Sequence, residues 1–455
     1  MTLTTLLLYI TLAALALTGV TYFGLKKKDS LLLSLLQNFT GALFLFSGYV
    51  KAVDPLGTAY KMEQYFAEFQ STFADTSLSF IAPLFPMLSE LSVGFSVFMI
   101  VLEIVLGLAL ILGAWPKLTA WLFFLIVVFF TVLTGFTYTT GYVPSGVNYF
   151  AFGEWGPYMD TNMKVTDCGC FGDFLKLEPF QSFLKDIALL VPAFVFLFAS
   201  NKMHQLFTAK TRNVTLAVLA VGTLVYCFSN YAWDIPGQDF RPFKVGTDVA
   251  AVKQAESDAQ ASVTTLAYVL TNKKTGEVKE IETNAFLKVM GDYPQTDWEY
   301  DTKVSEPAIE PTKISDFELS DEEGYDPIPA LLEDDAYTFL VVAYKLKGES
   351  GNWDAGYLDK WTSGIQPVVQ EALAGGHKVA ALTKFNDDAT IADFKQQIGA
   401  DYPFWRGDDI MLKTIIRSNP GVVLMKNGVI LDKWHHSKLP AFREIEAAQI
   451  LARKK

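Results

Sequence analysis

A chain of 455 residues has room for two or three domains, and its 51% hydrophobic content averages two unlike halves. The net charge of −12 falls mostly beyond Asp234, which argues against nucleic acid and anionic lipid headgroups as partners of that half. Three cysteines are too few for a disulfide scaffold, and the half beyond Asp234 has none.

Up to Trp233 the chain is built of long apolar runs. A hydrocarbon core of roughly 30 Å takes about 20 apolar residues per helix. Six segments meet that length, at 3–23, 31–52, 93–113, 118–139, 183–200 and 214–233. The first is read as a membrane helix and not a cleaved signal, because Lys26, Lys27 and Lys28 follow its apolar run instead of preceding it. Basic residues mark the cytoplasmic loops of membrane proteins. Here they fall after the first span (Lys26–28), after the third (Lys117) and after the fifth (Lys202, Lys210, Arg212), all on one side when helices alternate. The opposite side then holds the amino terminus, loops 53–92 and 140–182, and everything after Trp233. In a Gram-negative bacterium that side is the periplasm, and the protein is multi-pass in the inner membrane.

In the first outer loop, Ala59, Met62, Tyr65, Phe66 and Phe69 recur at helical spacing. They suit a helix lying in the interface or packing on the bundle. Glu103 falls near the middle of the third span, where a carboxyl group is costly unless neutral, paired or turned into the bundle. A proton or quinone contact and an interhelical hydrogen bond both satisfy that requirement. No second intramembrane charge is expected to pair with it, which argues against a transporter.

The second outer loop carries Thr166-Asp167-Cys168-Gly169-Cys170-Phe171-Gly172-Asp173. Cysteines two residues apart can close a tight, strained disulfide, and strain makes such a bond exchangeable. Gly169 supplies the backbone freedom that the ring needs. Cys168 and Cys170 are therefore candidate catalytic residues of thiol–disulfide exchange. Two other readings stay open. One is a structural role, with Cys227 as the internal disulfide candidate. The other is a metal site, which two thiolates without a nearby histidine seldom complete. Asp167 and Asp173 beside the pair would push the thiol pKa values up by like-charge interaction, unlike the electropositive setting of a strongly activated cysteine.

Three features together resemble the DoxX/MauE family: the run Phe46-Ser47-Gly48-Tyr49-Val50-Lys51-Ala52-Val53-Asp54-Pro55-Leu56-Gly57, the glutamate in the third span, and Asp167-Cys168-Gly169-Cys170-Phe171-Gly172. The resemblance covers about 30–200, and the chain looks especially like versions from Bacteroidota that carry an added periplasmic domain. It implies a four-helix membrane core with links to periplasmic thiol chemistry or quinone-dependent oxidation. Quinone thereby enters as a candidate cofactor, and Glu103 as its candidate proton or quinone contact.

Beyond the last span, 239–246 reads as a linker with anchoring aromatics. Alternation over 264–282 around Asn272-Lys273-Lys274-Thr275-Gly276 predicts a hairpin, and the acidic, Pro-rich 284–330 is expected to be irregular. A buried-type strand at 337–346 is followed by a helix at 357–374 ended by Gly375-Gly376. Next come a strand at 378–383, a helix near 392–398, and the segment 412–417. Strands at 421–425 and 429–434 flank the turn Asn427-Gly428, and a last helix covers about 441–452. This α/β order resembles a thioredoxin-like domain. Pro420 matches that fold's cis-proline and is the candidate partner-binding residue. The Cys-x-x-Cys is replaced by Gly348-Glu349-Ser350-Gly351-Asn352-Trp353, so no thiol exchange can occur there. His435 and His436 are expected to be exposed and to point to opposite faces of a strand, which disfavours a metal site.

The expected architecture is an all-α membrane bundle, a DoxX/MauE-like four-helix core plus two extra helices, followed by a periplasmic α/β thioredoxin-like domain. Its parts are 1–29 (first span and basic loop), 30–200 (core), 201–235 (sixth span), 236–330 (linker and β-rich extension) and 331–455 (thioredoxin-like). The expected function is thiol–disulfide exchange between Cys168/Cys170 and a periplasmic or membrane protein partner, with the lipid bilayer as surroundings and no nucleic acid bound. The rival is a non-catalytic anchored subunit whose C-terminal domain binds partners in an envelope complex.

Overall fold

The computed structural model describes residues 2–26, 30–165, 168–305 and 308–451. Lys27, Lys28 and Asp167, and the end of the last predicted helix at Ala452, lie outside the described residues. The chain forms two compact units, Met1–Arg241 and Pro242–Lys455.

The first unit is helical. Its helices are α1 (Leu3–Gly19), α2 (Leu31–Val53), α3 (Pro55–Ala74), α4 (Leu84–Glu90), α5 (Ser92–Leu112), α6 (Pro116–Thr140), α7 (Pro179–Ala199) and α8 (Ala209–Ser229). Among the described residues six helical stretches are long and apolar enough to cross a membrane: Leu3–Gly24, Leu31–Val53, Ser92–Leu112, Pro116–Thr140, Pro179–Lys202 and Ala209–Ser229. They coincide with the six predicted segments to within a few residues. Local chemistry sets their ends. Ser30, Asp54 and Thr208 cap α2, α3 and α8 by accepting from backbone N–H groups three residues on. Pro55, Pro116 and Pro179 open α3, α6 and α7, where a missing N–H costs nothing. Gly113 ends α5 in the left-handed conformation (φ 64°).

Packing follows from side-chain size. A Cβ built on Gly41 of α2 would stand 2.6 Å from the Gly107 carbonyl oxygen of α5, and one on Gly48 would meet Ile104 Cγ1 at 2.5 Å. The two helices touch backbone to backbone, the means by which small residues hold membrane helices together. Apolar residues of several helices complete the core, Leu43 and Phe44 with Leu106, Leu110, Phe123 and Phe196. At one end His204 ties the bundle, its N–H donating to Gln37 Oε1 at 3.0 Å and its ring meeting Ser34 Oγ and the Ile111 carbonyl. At the other end α3 packs on α5 and α6. Ser96 Oγ donates to the Pro55 carbonyl at 2.7 Å, and Tyr65 Oη pairs with Thr137 Oγ1 at 2.6 Å.

The second unit begins with α9 (Val249–Ala261). A three-stranded antiparallel sheet follows, ordered β2-β1-β3, from β1 (Thr265–Asn272), β2 (Val278–Glu282) and β3 (Trp298–Val304), with α10 (Thr283–Val289) between the last two. The β1–β2 hairpin is the one predicted. The stretch 284–330 is more regular than expected, since α10, β3, β4 (Leu319–Ser320) and α11 (Ile328–Glu333) all include residues from it. A six-stranded mixed sheet forms the rest, ordered β11-β10-β5-β8-β9-β4. It contains β5 (Thr338–Ala343), β8 (Lys378–Lys384), β9 (Phe404–Gly407), β10 (Gly421–Lys426) and β11 (Val429–His435). β5, β8 and β9 are parallel, and the remaining pairs are antiparallel. The small hairpin of β6 (Gly348–Glu349) and β7 (Asn352–Trp353) stands apart. Helices α12 (Ala355–Asp359), α13 (Gln366–Ala374), α14 (Asp388–Ile398), α15 (Asp409–Ile415) and α16 (Phe442–Ile445) complete the unit. Tyr357, Trp361, Phe394 and Phe404 pack with Phe339 and Val341 of β5 in its core.

Candidate functional site

The candidates of the first unit meet in one cavity. Its walls come from α2, α3, α5, α6, α7 and the Cys168–Phe171 turn, and both Cys168 and Cys170 line it together with Glu103. Gly169, between the cysteines, has φ +62°, a conformation costly to residues with a Cβ, and a Cβ there would press on Lys61 Cγ at 3.3 Å. The turn is held to the bundle by Ser47 Oγ, which donates to the Cys170 carbonyl at 3.0 Å. Phe171, fully buried, and Phe174 pack on Phe46. No disulfide links the cysteines of the described residues. Cys227 lies in a separate cluster with Ala52, Val97, Ile100 and Ile104.

Glu103 is buried and paired. Lys51, in the last turn of α2, donates to its Oε2 at 2.7 Å, with side chains 8% and 3% exposed. The Lys51 ammonium also sits 4.8 Å from the Phe130 ring centroid. This corrects the expectation that Glu103 has no charged partner inside the bundle. A second pair lines the same cavity: Lys185 contacts Asp186 Oδ1, and Thr134 Oγ1 donates to Asp186 Oδ2 at 3.0 Å. The cysteine turn therefore shares its cavity with two lysine–carboxylate pairs.

The Cys170 thiol pKa is raised from its usual range, the direction expected, with burial as the largest cause. The lysines 185 and 51 pull it down, and Asp186 and Glu103 push it up. Asp167 lies outside the described residues. Sequence reasoning missed Lys51, Lys185, Asp186 and Thr134, although Lys51 stands in the run carrying the family resemblance and Lys185 and Asp186 fall inside the predicted fifth span.

The cavity measures about 70 Å³. One water takes roughly 10–15 Å³ on this measure, so a few waters fit. Sites for small organic molecules run roughly 300–1,000 Å³, and a quinone ring does not fit beside the cysteines. A neighbouring groove of about 380 Å³ between α3, α5 and α6 is large enough, but its lining is almost wholly apolar. Its one hydroxyl, on Tyr65, is engaged with Thr137. Neither space offers a quinone both room and polar partners.

Pro420 belongs to the second unit, where it is buried after a cis Asn419–Pro420 bond. Asn419 Nδ2 donates to the Lys345 carbonyl at 2.7 Å, and Tyr357 Oη reaches Asn419 Oδ1 at 3.3 Å. The histidines depart from expectation. β11 stops at His435, which is 3% exposed, and His436 starts a tight turn, so the rings lie 4.1 Å apart and not on opposite faces. His436 Nδ1 lies 3.2 Å from Ser418 Oγ. Burial, with His435, Lys360 and Lys347 adding positive charge, pushes the His436 pKa down to about 3. No group of three or more metal-ligating side chains occurs among the described residues.

Residues 29–145 match the family model described as methylamine utilisation protein MauE, so the helical unit contains a MauE family domain running from α2 to just past α6. The match ends before Cys168. No curated protein and no solved structure matches the chain.

Proposed function

We propose that this multi-pass membrane protein is a thiol–disulfide redox protein that exchanges electrons between Cys168/Cys170 and the thiols of a partner protein. The observation that carries the reading is the convergence of both cysteines, with left-handed Gly169 between them, on one cavity also lined by two lysine–carboxylate pairs. Redox and electron-transfer roles are also what the MauE match suggests for the membrane domain. The basic residues Lys26, Lys117, Lys202, Lys210 and Arg212 favour a cytoplasmic location for the opposite end of the bundle. The cysteine turn and residues 242–455 would then face the periplasm from a bacterial inner membrane. We read the mixed sheet of the second unit as thioredoxin-like, with Pro420 beside a polypeptide-binding edge, because parallel β5 and β8 adjoin the antiparallel hairpin β10–β11.

A second reading rests on the absence of any cysteine beyond Cys227. There the C-terminal unit docks partners of an envelope complex, and the thiol pair only braces its loop.

Trapping separates the two. With Cys170→Ser the remaining thiol cannot resolve a mixed disulfide through its neighbour, so a partner accumulates as a reducible adduct on Cys168. Isolation of that adduct from membranes supports exchange. Its absence from both Cys168→Ser and Cys170→Ser membranes, under oxidising and reducing conditions alike, selects the anchored subunit.

A further inference from the structure

The two sulfurs are not equivalent. Cys170 packs against the main apolar core of the bundle, beside fully buried Phe171. Lys185 lines the same cavity with its ammonium 5.9 Å from the Phe171 ring centroid. Lys185 contacts Asp186, and Asp186 is fixed from the other side by Thr134. A lysine side chain only 13% exposed and a carboxylate only 2% exposed are costly to bury without purpose or packing compensation.

We propose that Lys185 is the charge partner of the Cys170 sulfur, stabilising its thiolate when the Cys168–Cys170 bond is opened, and that Asp186 positions that ammonium while tempering its field. The inference rests on the thiol–disulfide reading and assigns roles within it. In the oxidised pair, a partner thiolate attacks Cys168 Sγ, the Cys168–Cys170 bond breaks, and its electron pair leaves on Cys170 Sγ. The partner's second thiolate then attacks the partner sulfur of the mixed disulfide and releases Cys168. The partner dithiol is oxidised to a disulfide, and its two protons end on the two cysteines. The leaving sulfur carries negative charge in a buried site, so an adjacent cation lowers the barrier to bond opening.

Other ionisable groups face this cavity: Lys51 from α2, Lys61 and Tyr65 from α3, Glu103 from α5, and Cys168 from the turn itself. Burial raises the Cys170 thiol, and among the charges Lys185 opposes that most strongly. Lys51 and Glu103 act in opposite senses and more weakly.

The test uses full-length Cys168→Ser protein in proteoliposomes and the rate of Cys170 alkylation by a small uncharged reagent from pH 6 to 10. Lys185→Gln should move the midpoint up, slowing alkylation about tenfold on the low-pH limb. Asp186→Asn should move it down and speed alkylation, and Lys185→Arg should restore the parent profile. The opposite signs distinguish a charge effect from damage to packing, which would move both profiles the same way. If Lys185→Gln does not fold, Asp186→Asn and Lys185→Arg still decide. Unchanged midpoints, or shifts of one sign, overturn the proposal. Cys170 reactivity needs no partner, so these shifts without a trapped adduct would sink only the exchange reading. A trapped adduct without the shifts would sink only the role of Lys185.

Discussion

Removing one partner of the Lys51–Glu103 pair should harm the bundle far more than removing both. Two unit charges 2.7 Å apart attract by roughly 6 kcal/mol at an effective dielectric of about 20. Desolvation of both ions consumes several kcal/mol each, so the pair's net contribution lies near zero. Taking away one member leaves the other charge uncompensated, at a cost of about 3–5 kcal/mol. Lys51→Met and Glu103→Leu should therefore each lower the Tm of the detergent-solubilised protein by roughly 6–20 °C, at about 2–4 °C per kcal/mol. The double variant should recover most of that loss, because the apolar side chains meet Phe130 and the surrounding core instead of a stranded ion. A double variant whose loss equals the sum of the single losses would show that the two groups act independently and not as a pair.

Three further outcomes follow from other parts of the molecule. Gly41→Ala and Gly107→Ala should each reduce folded yield, because their Cβ atoms would stand 2.6 and 2.8 Å from backbone oxygens of the facing helix, whereas Gly222→Ala, with nothing within 4 Å, should be neutral; size-exclusion chromatography of the three variants checks this. The His436 pKa is depressed in the fold, so the neutral ring stabilises above the usual histidine range near 6.5, and that stability drains away as pH falls from there toward 3. In thermal scans between pH 7 and 4, His436→Gln should flatten this part of the acid loss. Asp393 accepts from Ser350 Oγ, the Gly351 N–H and Trp353 Nε1 at 2.8–3.0 Å, so Asp393→Ala should raise hydrogen exchange across 348–353 while sparing β5.

The six spans were legible because each is a run of about 20 apolar residues, a length signal that tertiary packing seldom overrides. The cysteine pair was legible because both members carry distinctive chemistry in one short turn. The charges that line its cavity were not. Lys51 ends an apolar run and reads as an ordinary flanking lysine until α2 and α5 bring it to Glu103, 52 residues along the chain. Lys185 and Asp186 are neighbours at the start of a span, where charges near the interface are unremarkable. In the second unit β3 was hidden by its polar outer positions, and β9 is only four residues long. The His435–His436 geometry turned on where a strand stops, the boundary that local sequence specifies least.

Thiol–disulfide exchange requires Cys168 and Cys170 to change oxidation state together. Native membranes treated with a mild disulfide oxidant or a reductant, quenched in acid and alkylated differentially, report the pair directly by mass spectrometry of the peptide spanning 168–170. Two free thiols are expected after reductant, an intramolecular disulfide after oxidant, and full reversal between them. A pair held in one state under both treatments would rule out exchange through these cysteines.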